Sequence, residues 1–316
     1  SENENENEKE SDSESDTDVL FDYSEIGIDF STNNLWINSG KTFDLNGYDL
    51  TVTGTFTNEG TLKAQGDETI TIIIDTTQGT VSYDGGEEYL TGLPLNNYYD
   101  LQFTGLGTWN LDEALNVEND LTISAGILDL NGNNIEVANT FTNDATLRLQ
   151  GSEIITLTQD TDSGTVIYDG TSSYSNLNYG ANYNYLEFTG TGTWDIAETT
   201  TIGGNLTISS GILDFNGQII TVGGDVSNEA IIRLYSTEDL SNITLDTDSG
   251  TIVYDGTSSD LIFNAGYSYN NLTLESGTYD IGSNDLNIVS VFENQGTLKL
   301  EGGQDITIGT MDIDSG

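Results

Sequence analysis

A unit of about 85 residues recurs along the chain. Tyr83-Asp84-Gly85 returns as Tyr168-Asp169-Gly170 and as Tyr254-Asp255-Gly256. The phrase NGYDLTVTGTFTNEGTLKAQG from Asn46 reappears as NGNNIEVANTFTNDATLRLQG from Asn131 and as NGQIITVGGDVSNEAIIRLYS from Asn216. Inside each unit lies a smaller echo: TWDI at 193–196 and ILDF at 212–215 share one pattern, 19 residues apart. Nested periodicity of this kind marks a stacked chain, in which a short phrase gains its core by lying on its neighbour.

The residue types say what each phrase becomes. Val, Ile, Thr, Leu and aromatics dominate residues 19–316, with Gly and Asn as punctuation and a single proline, Pro94. That mixture favours strands joined by tight turns. The expected fold is all-β: a parallel, right-handed β-solenoid of about 14 coils, each of about 20–25 residues, making a rod of about 65 Å at the usual strand spacing. Residues 1–18 are a low-complexity acidic tail, expected to be disordered or extended. Residues 19–316 form one continuous body with super-repeats 46–130, 131–215 and a shortened 216–316.

A string of immunoglobulin-like sandwiches is the rival, because 85 residues suits one such domain. The third copy argues against it. Its VFENQGTLKL arrives at Val291, one coil early, so a coil type present in the second copy is missing. A solenoid loses a coil and restacks; a sandwich does not lose a quarter of its strands.

The phrases LTISAGILDLNGN, FTNDATLRL, GTVIYDGTSS and NYLEFTGTGTW resemble the long β-strand-repeat proteins of microbial surfaces, which are similar to adhesin passenger domains. The resemblance covers residues 19–316 and implies a parallel β-helix in an extracellular, cell-surface setting. Its phrases are turns and strands and imply no ligand.

Charge narrows the partners. The chain has 53 acidic and 6 basic residues and a formal net charge of −47. Such a surface repels nucleic acid and anionic membranes and gathers cations, so divalent ions such as calcium are expected as non-specific stabilisers and not as cofactors. There is no cysteine, which excludes disulfides and thiolate chemistry. No run reaches the roughly 18 apolar residues of a membrane span, and a first residue of serine fits a processed or trimmed chain. Asn205, Asn242 and Asn271 open Asn-x-Thr sequons.

Several constellations invite chemistry. Asp44, Asp129, Asp195, Asp214 and Asp280 share one coil slot, with Asn110 in the matching place. Asp195 and Asp214 are 19 residues apart and, on adjacent coils, form either a carboxylate pair or two turn-closing aspartates. DTDSG at 160–164 and 246–250, with DIDSG at 312–316, begins like a calcium loop but lacks the later ligands and also suits a turn. Lys63, Arg148, Arg233 and Lys299 share a position, and Glu59, Asp144 and Glu229 stand four residues before the first three, so a local charge pair is expected. Tyrosines cluster with asparagines at 96–100, 178–185 and 264–271, either covering a corner with wet hydroxyls or offering a row to sugars. Trp109 and Trp194 share one slot and fill the interior or its rim.

No site stands apart from its repeat equivalents, and histidine is absent. The expectation is therefore no catalytic, metal or cofactor-binding residue and no enzyme, but an acidic structural rod of a surface filament or stalk. The chain stops at MDIDSG, where earlier copies continue into TVIYDG, and the body opens with VLFDYS, so the head supplies roughly the coil the tail lacks. Self-stacking head to tail is the expected partnership; the alternative is an adhesin-type module recognising glycans through the Tyr/Asn-rich corners.

Overall fold

The computed structural model describes residues 19–312 apart from 22, 23, 237, 239, 242, 259, 260 and 263–266. The acidic stretch 1–18, the sequon at Asn242, residues 313–316 of DIDSG and residues 264–266 of the third tyrosine cluster lie outside the described residues. What is described is all-β, with strands of two to four residues through most of the body. They stack in parallel as a β-solenoid of about 14 turns.

Each turn contributes three short strands to three walls. Phe56–Asn58, Thr61–Ala64 and Ile70–Thr71 make one such turn and lie in three different sheets. Within a strand, alternate side chains point inward. Leu62 and Ala64, Leu147 and Leu149, and Ile232 and Leu234 are at most 1% exposed, while the residues between them face out. The corners are tight. Asn46-Gly47, Asn131-Gly132 and Asn216-Gly217 each place two successive residues at positive φ, a conformation Asn tolerates and Gly adopts freely.

The super-repeat does not close on its own wall. Thr80–Tyr83, inside the first super-repeat, stacks on Thr61–Ala64, the second strand of the preceding turn, not on its first. The same step recurs in the next two, where Thr165–Tyr168 stacks on Thr146–Leu149 and Thr251–Tyr254 on Ile231–Leu234. Those three strands lie in three different sheets. One super-repeat is therefore about four and a third turns, and each repeated feature moves one wall round the rod.

The step is made by the Asp-Thr-Asp-Ser-Gly stretch, which reads Asp-Thr-Thr-Gln-Gly at 75–79. Phe56–Asn58, Phe141–Asn143 and Val226–Asn228 each end in a buried asparagine. Its backbone N–H donates to Asp75, Asp160 or Asp246, and its side-chain amide donates to the carbonyl of Thr80, Thr165 or Thr251. The aspartate carboxylate thus stands where the next rung would be. Gly79, Gly164 and Gly250 follow at positive φ, and a Cβ there would come within 2.1 Å of the asparagine carbonyl oxygen. Only glycine fits.

The shortened third copy restacks as a solenoid should. After the step in the second copy, four strands, Thr165–Tyr168, Tyr185–Phe188, Leu206–Ile208 and Val226–Asn228, climb one sheet. In the third, Thr251–Tyr254 and Asn271–Leu274 are followed directly by the strand holding Phe292, which faces Leu272 in unbroken register.

Candidate functional site

The groups that the sequence brings together most regularly are charged. Lys63 lies one rung from Asp44 in the same column, and its Nζ is 3.1 Å from Asp44 Oδ2 and 2.6 Å from Asp84 Oδ2. The hydrogen bond that this ammonium donates to Asp84 is the largest influence on it and, with Asp44, outweighs desolvation and holds it up at about 12. Arg148 repeats the arrangement with Asp129 at 3.2 Å and Asp169 at 4.0 Å. Arg233 reaches Asp214 at 3.9 Å, Asp255 at 3.6 Å and Glu275 at 3.8 Å. Asp280 and Lys299 are register neighbours in the last coils.

These partners correct the expectation of a local pair. Glu59, Asp144 and Glu229 are not the acids engaged. A residue four positions earlier lies before the strand, in the turn, whereas the residue 19 positions earlier lies one rung away in the same column, about 4.8 Å off. Stacking sets the pairing. Because the basic side chains keep 25–32% exposure, each pair contributes at most about 1 kcal/mol.

The aspartate slot serves the turn. Oδ1 of Asp44, Asp129 and Asp214 accepts the backbone N–H of Asn46, Asn131 and Asn216, and Asp280 accepts that of Gly282. In the slot one rung earlier, Asn110 donates to the Tyr89 carbonyl. Asp195, by contrast, sits in register beside Asp214. Burial, then the charges of Asp255 and Asp195, push Asp214 up to about 6 against the pull of the Asn216 N–H; burial and Asp129 do the same to Asp169.

The first carboxylate of each DTDSG is spent on the protein. Asp160 and Asp246 accept the N–H groups of Asp162 and Asp248 and the hydroxyls of Ser163 and Ser249 as well as the buried asparagine N–H. Burial acts to raise Asp246, but these donors prevail and hold it at about 2. Its stabilising contribution is present above about pH 4 and is lost as pH falls through 2.

The tyrosines turn inward. Tyr98, Tyr183 and Tyr269 are buried, and their hydroxyls meet those of Tyr83, Tyr168 and Tyr254 at 2.9–3.2 Å. Tyr98 and Tyr183 also donate to the carbonyls of Leu95 and Gly180. The hydroxyls expected to be wet are thus internal, and burial raises Tyr83, Tyr98, Tyr168, Tyr183 and Tyr269 above the usual phenol range. Tyr185, at 44% exposed, is the outward member of its cluster. Trp109 and Trp194 are wholly interior, stacked on Tyr89 and Tyr174, with indole N–H groups donating to the Gln65 and Gln150 carbonyls.

Glu68, Glu153 and Glu238 form a set that sequence reasoning missed. They are 2–4% exposed, once per super-repeat. Glu68 accepts the N–H groups of Gln65, Gly66 and, from the preceding coil, Gly47; Glu238 accepts those of Tyr235, Ser236 and Gly217. Glu153 accepts from Gln150 and Gly151 and from the Asn178 amide. The central residue of each corner has φ between 118° and 129°, and a Cβ at Gly66 would strike Trp109. The available signal was a glutamate recurring at the repeat period beside Gly66 and Gly151.

No protein-family model, no curated protein and no solved structure matches the chain. The fold and its recurring groups define a class by themselves: a three-walled parallel β-solenoid whose buried carboxylates, tyrosine pairs and ion-pair ladders tie turn to turn.

Proposed function

We propose that the protein is an extracellular structural rod, part of a microbial surface filament or stalk, that lengthens by stacking coil upon coil. One observation carries this reading. The recurring polar and aromatic groups, which in a binding or catalytic protein would converge on one place, are spread over three walls and bound to the scaffold at equivalent positions. The rod has the same construction in every direction, as a spacer or fibre element requires.

The partner class in this reading is the protein itself, stacked head to tail through parallel rungs of the kind that join one turn to the next, with divalent cations easing carboxylate repulsion and with no catalytic role. Glycan recognition, the alternative, has less to stand on because the repeating tyrosines face inward.

Negative-stain electron microscopy at two protein concentrations, with and without calcium, tests the proposal. Filaments with an axial repeat near the rod length are the expected result. Separate short rods under every condition overturn the self-stacking reading and leave a rod that is continued by other means.

A further inference from the structure

We propose that the ladder Asp195, Asp214, Arg233, Asp255 and Glu275 is a proton-uptake joint in the rod, firm in mildly acidic surroundings and looser at neutral pH. Four carboxylates crowd one guanidinium here, and three of them reach it. Asp195 and Asp214 occupy the same column on adjacent rungs, and Arg233, on the next rung, divides itself among Asp214, Asp255 and Glu275 at 3.6–3.9 Å. No one of these pairs is close, so the cation neutralises none of them fully.

The other ladders show what is unusual. Around Arg148 the places of Asp195 and Glu275 are taken by the neutral Asn110 and Thr189, which leaves two carboxylates, Asp129 and Asp169; there the raised carboxyl is Asp169, the counterpart of Asp255, and not the counterpart of Asp214. Around Lys63, Glu25 holds the place of Asp195 beside Asp44, but Asp44 and Asp84 pair with the ammonium at short range and Thr104 takes the last place. The third ladder thus gathers four carboxylates about one cation, against three in the first and two in the second. From the rung before, Asp214 is faced by Asp195; from the rung after, by Arg233; beyond that, by Asp255 and Glu275. Glu238 and the Tyr279 hydroxyl stand near Asp255.

Asp214 is the acceptor of the proton. It is largely covered, and its Oδ1 is committed to Asn216, while Oδ2 faces the crowded column. Its carboxyl is pushed up to about 6, by burial first and then by Asp255 and Asp195. For a carboxyl raised above its unfolded value near 3.9, the stabilising contribution is complete below about pH 4 and is lost as pH rises through about 6. The joint therefore firms between neutral and mildly acidic conditions, opposite to the Asp246 turn, whose contribution needs the carboxylate ionised.

Two variants test this in the full chain. Asp195→Asn with Glu275→Thr transplants the second ladder into the third; Asp214→Asn keeps the turn acceptor and identifies the carboxyl signal. With ¹³C-labelled carboxyls followed by NMR, the expected midpoint for Asp214 lies near pH 6, vanishes in Asp214→Asn, and falls by on the order of half a pH unit in the double variant. The double variant is also expected to raise Tm by roughly 1–3 °C at pH 7.5 and by less at pH 5. An Asp214 midpoint near 4, a midpoint unmoved in the double variant, or an equal Tm change at both pH values overturns the proposal.

Discussion

At the scale of the residue, the most informative side chains are the buried glutamates. A carboxylate taken out of water is costly unless its oxygens are bonded. Glu68 and Glu238 each gather two successive backbone N–H groups of a positive-φ corner and a third from the coil below. They satisfy donors that no strand reaches, and they bind one coil to the next. Replacing Glu153 by Gln keeps the size but removes the charge and turns an N–H₂ towards N–H donors. The expected cost is about 1–3 kcal/mol, read as a lower midpoint in urea unfolding followed by tryptophan fluorescence. An unchanged midpoint means that water satisfies the corner and that the carboxylate has no structural role. The sequence hid this set for a physical reason. Glu68 and Glu238 each stand beside another acid and a threonine, and Glu153 stands between a serine and an isoleucine, so no shared apolar pattern announces burial, and the donors come from the backbone, whose direction the letters do not record.

At the scale of the element, turn chemistry and strand alternation were legible because both are local. Asn-Gly at 46–47, 131–132 and 216–217 marks the corner, and the alternation in TLKA, TLRL and IIRL marks the inward face. The step from wall to wall was not legible. Four coils of about 21 residues and four and a third turns of about 20 add up to the same period, and only the register of Thr80 on Thr61 separates them. Partners across rungs were misread for the same reason, since Arg148 sees Asp129 through stacking and Asp144 only through sequence. The coil as unit has a direct test. Deleting residues 185–204, the coil type that the third repeat lacks, brings Leu206–Ile208 onto Thr165–Tyr168 with its inward residues still inward. The shortened protein is expected to fold and to melt cooperatively within roughly 5 °C of the parent. Deleting residues 185–194 alone shifts every later strand to a different wall and is expected to abolish folding. If both deletions unfold the protein, the rungs are not exchangeable units.

At the scale of the whole molecule, charge sets the working conditions. Of the six basic residues, Lys63, Arg148 and Arg233 are held in ladders, so they do little for the rest of a chain at −47. The remaining carboxylates repel one another across rungs about 4.8 Å apart and favour the expanded chain, in which they lie farther apart. Screening must therefore stabilise the rod. The Debye length is about 10 Å at 0.1 M salt and about 3 Å at 1 M, so neighbouring rungs still interact in the first condition and are shielded in the second. Tm is expected to rise by roughly 5 °C between 0.1 and 1 M sodium chloride, with the interior Trp109 and Trp194 reporting the transition. Calcium separates local from general screening. A divalent ion collects between carboxylates on neighbouring rungs, so millimolar calcium is expected to give a rise that sodium chloride at matched ionic strength does not. Equal responses at matched ionic strength make the effect one of screening alone. A Tm that ignores both salts means that the walls hold their carboxylates far enough apart for repulsion to be negligible, and the acidity then has to serve solubility rather than the response of the rod to its surroundings.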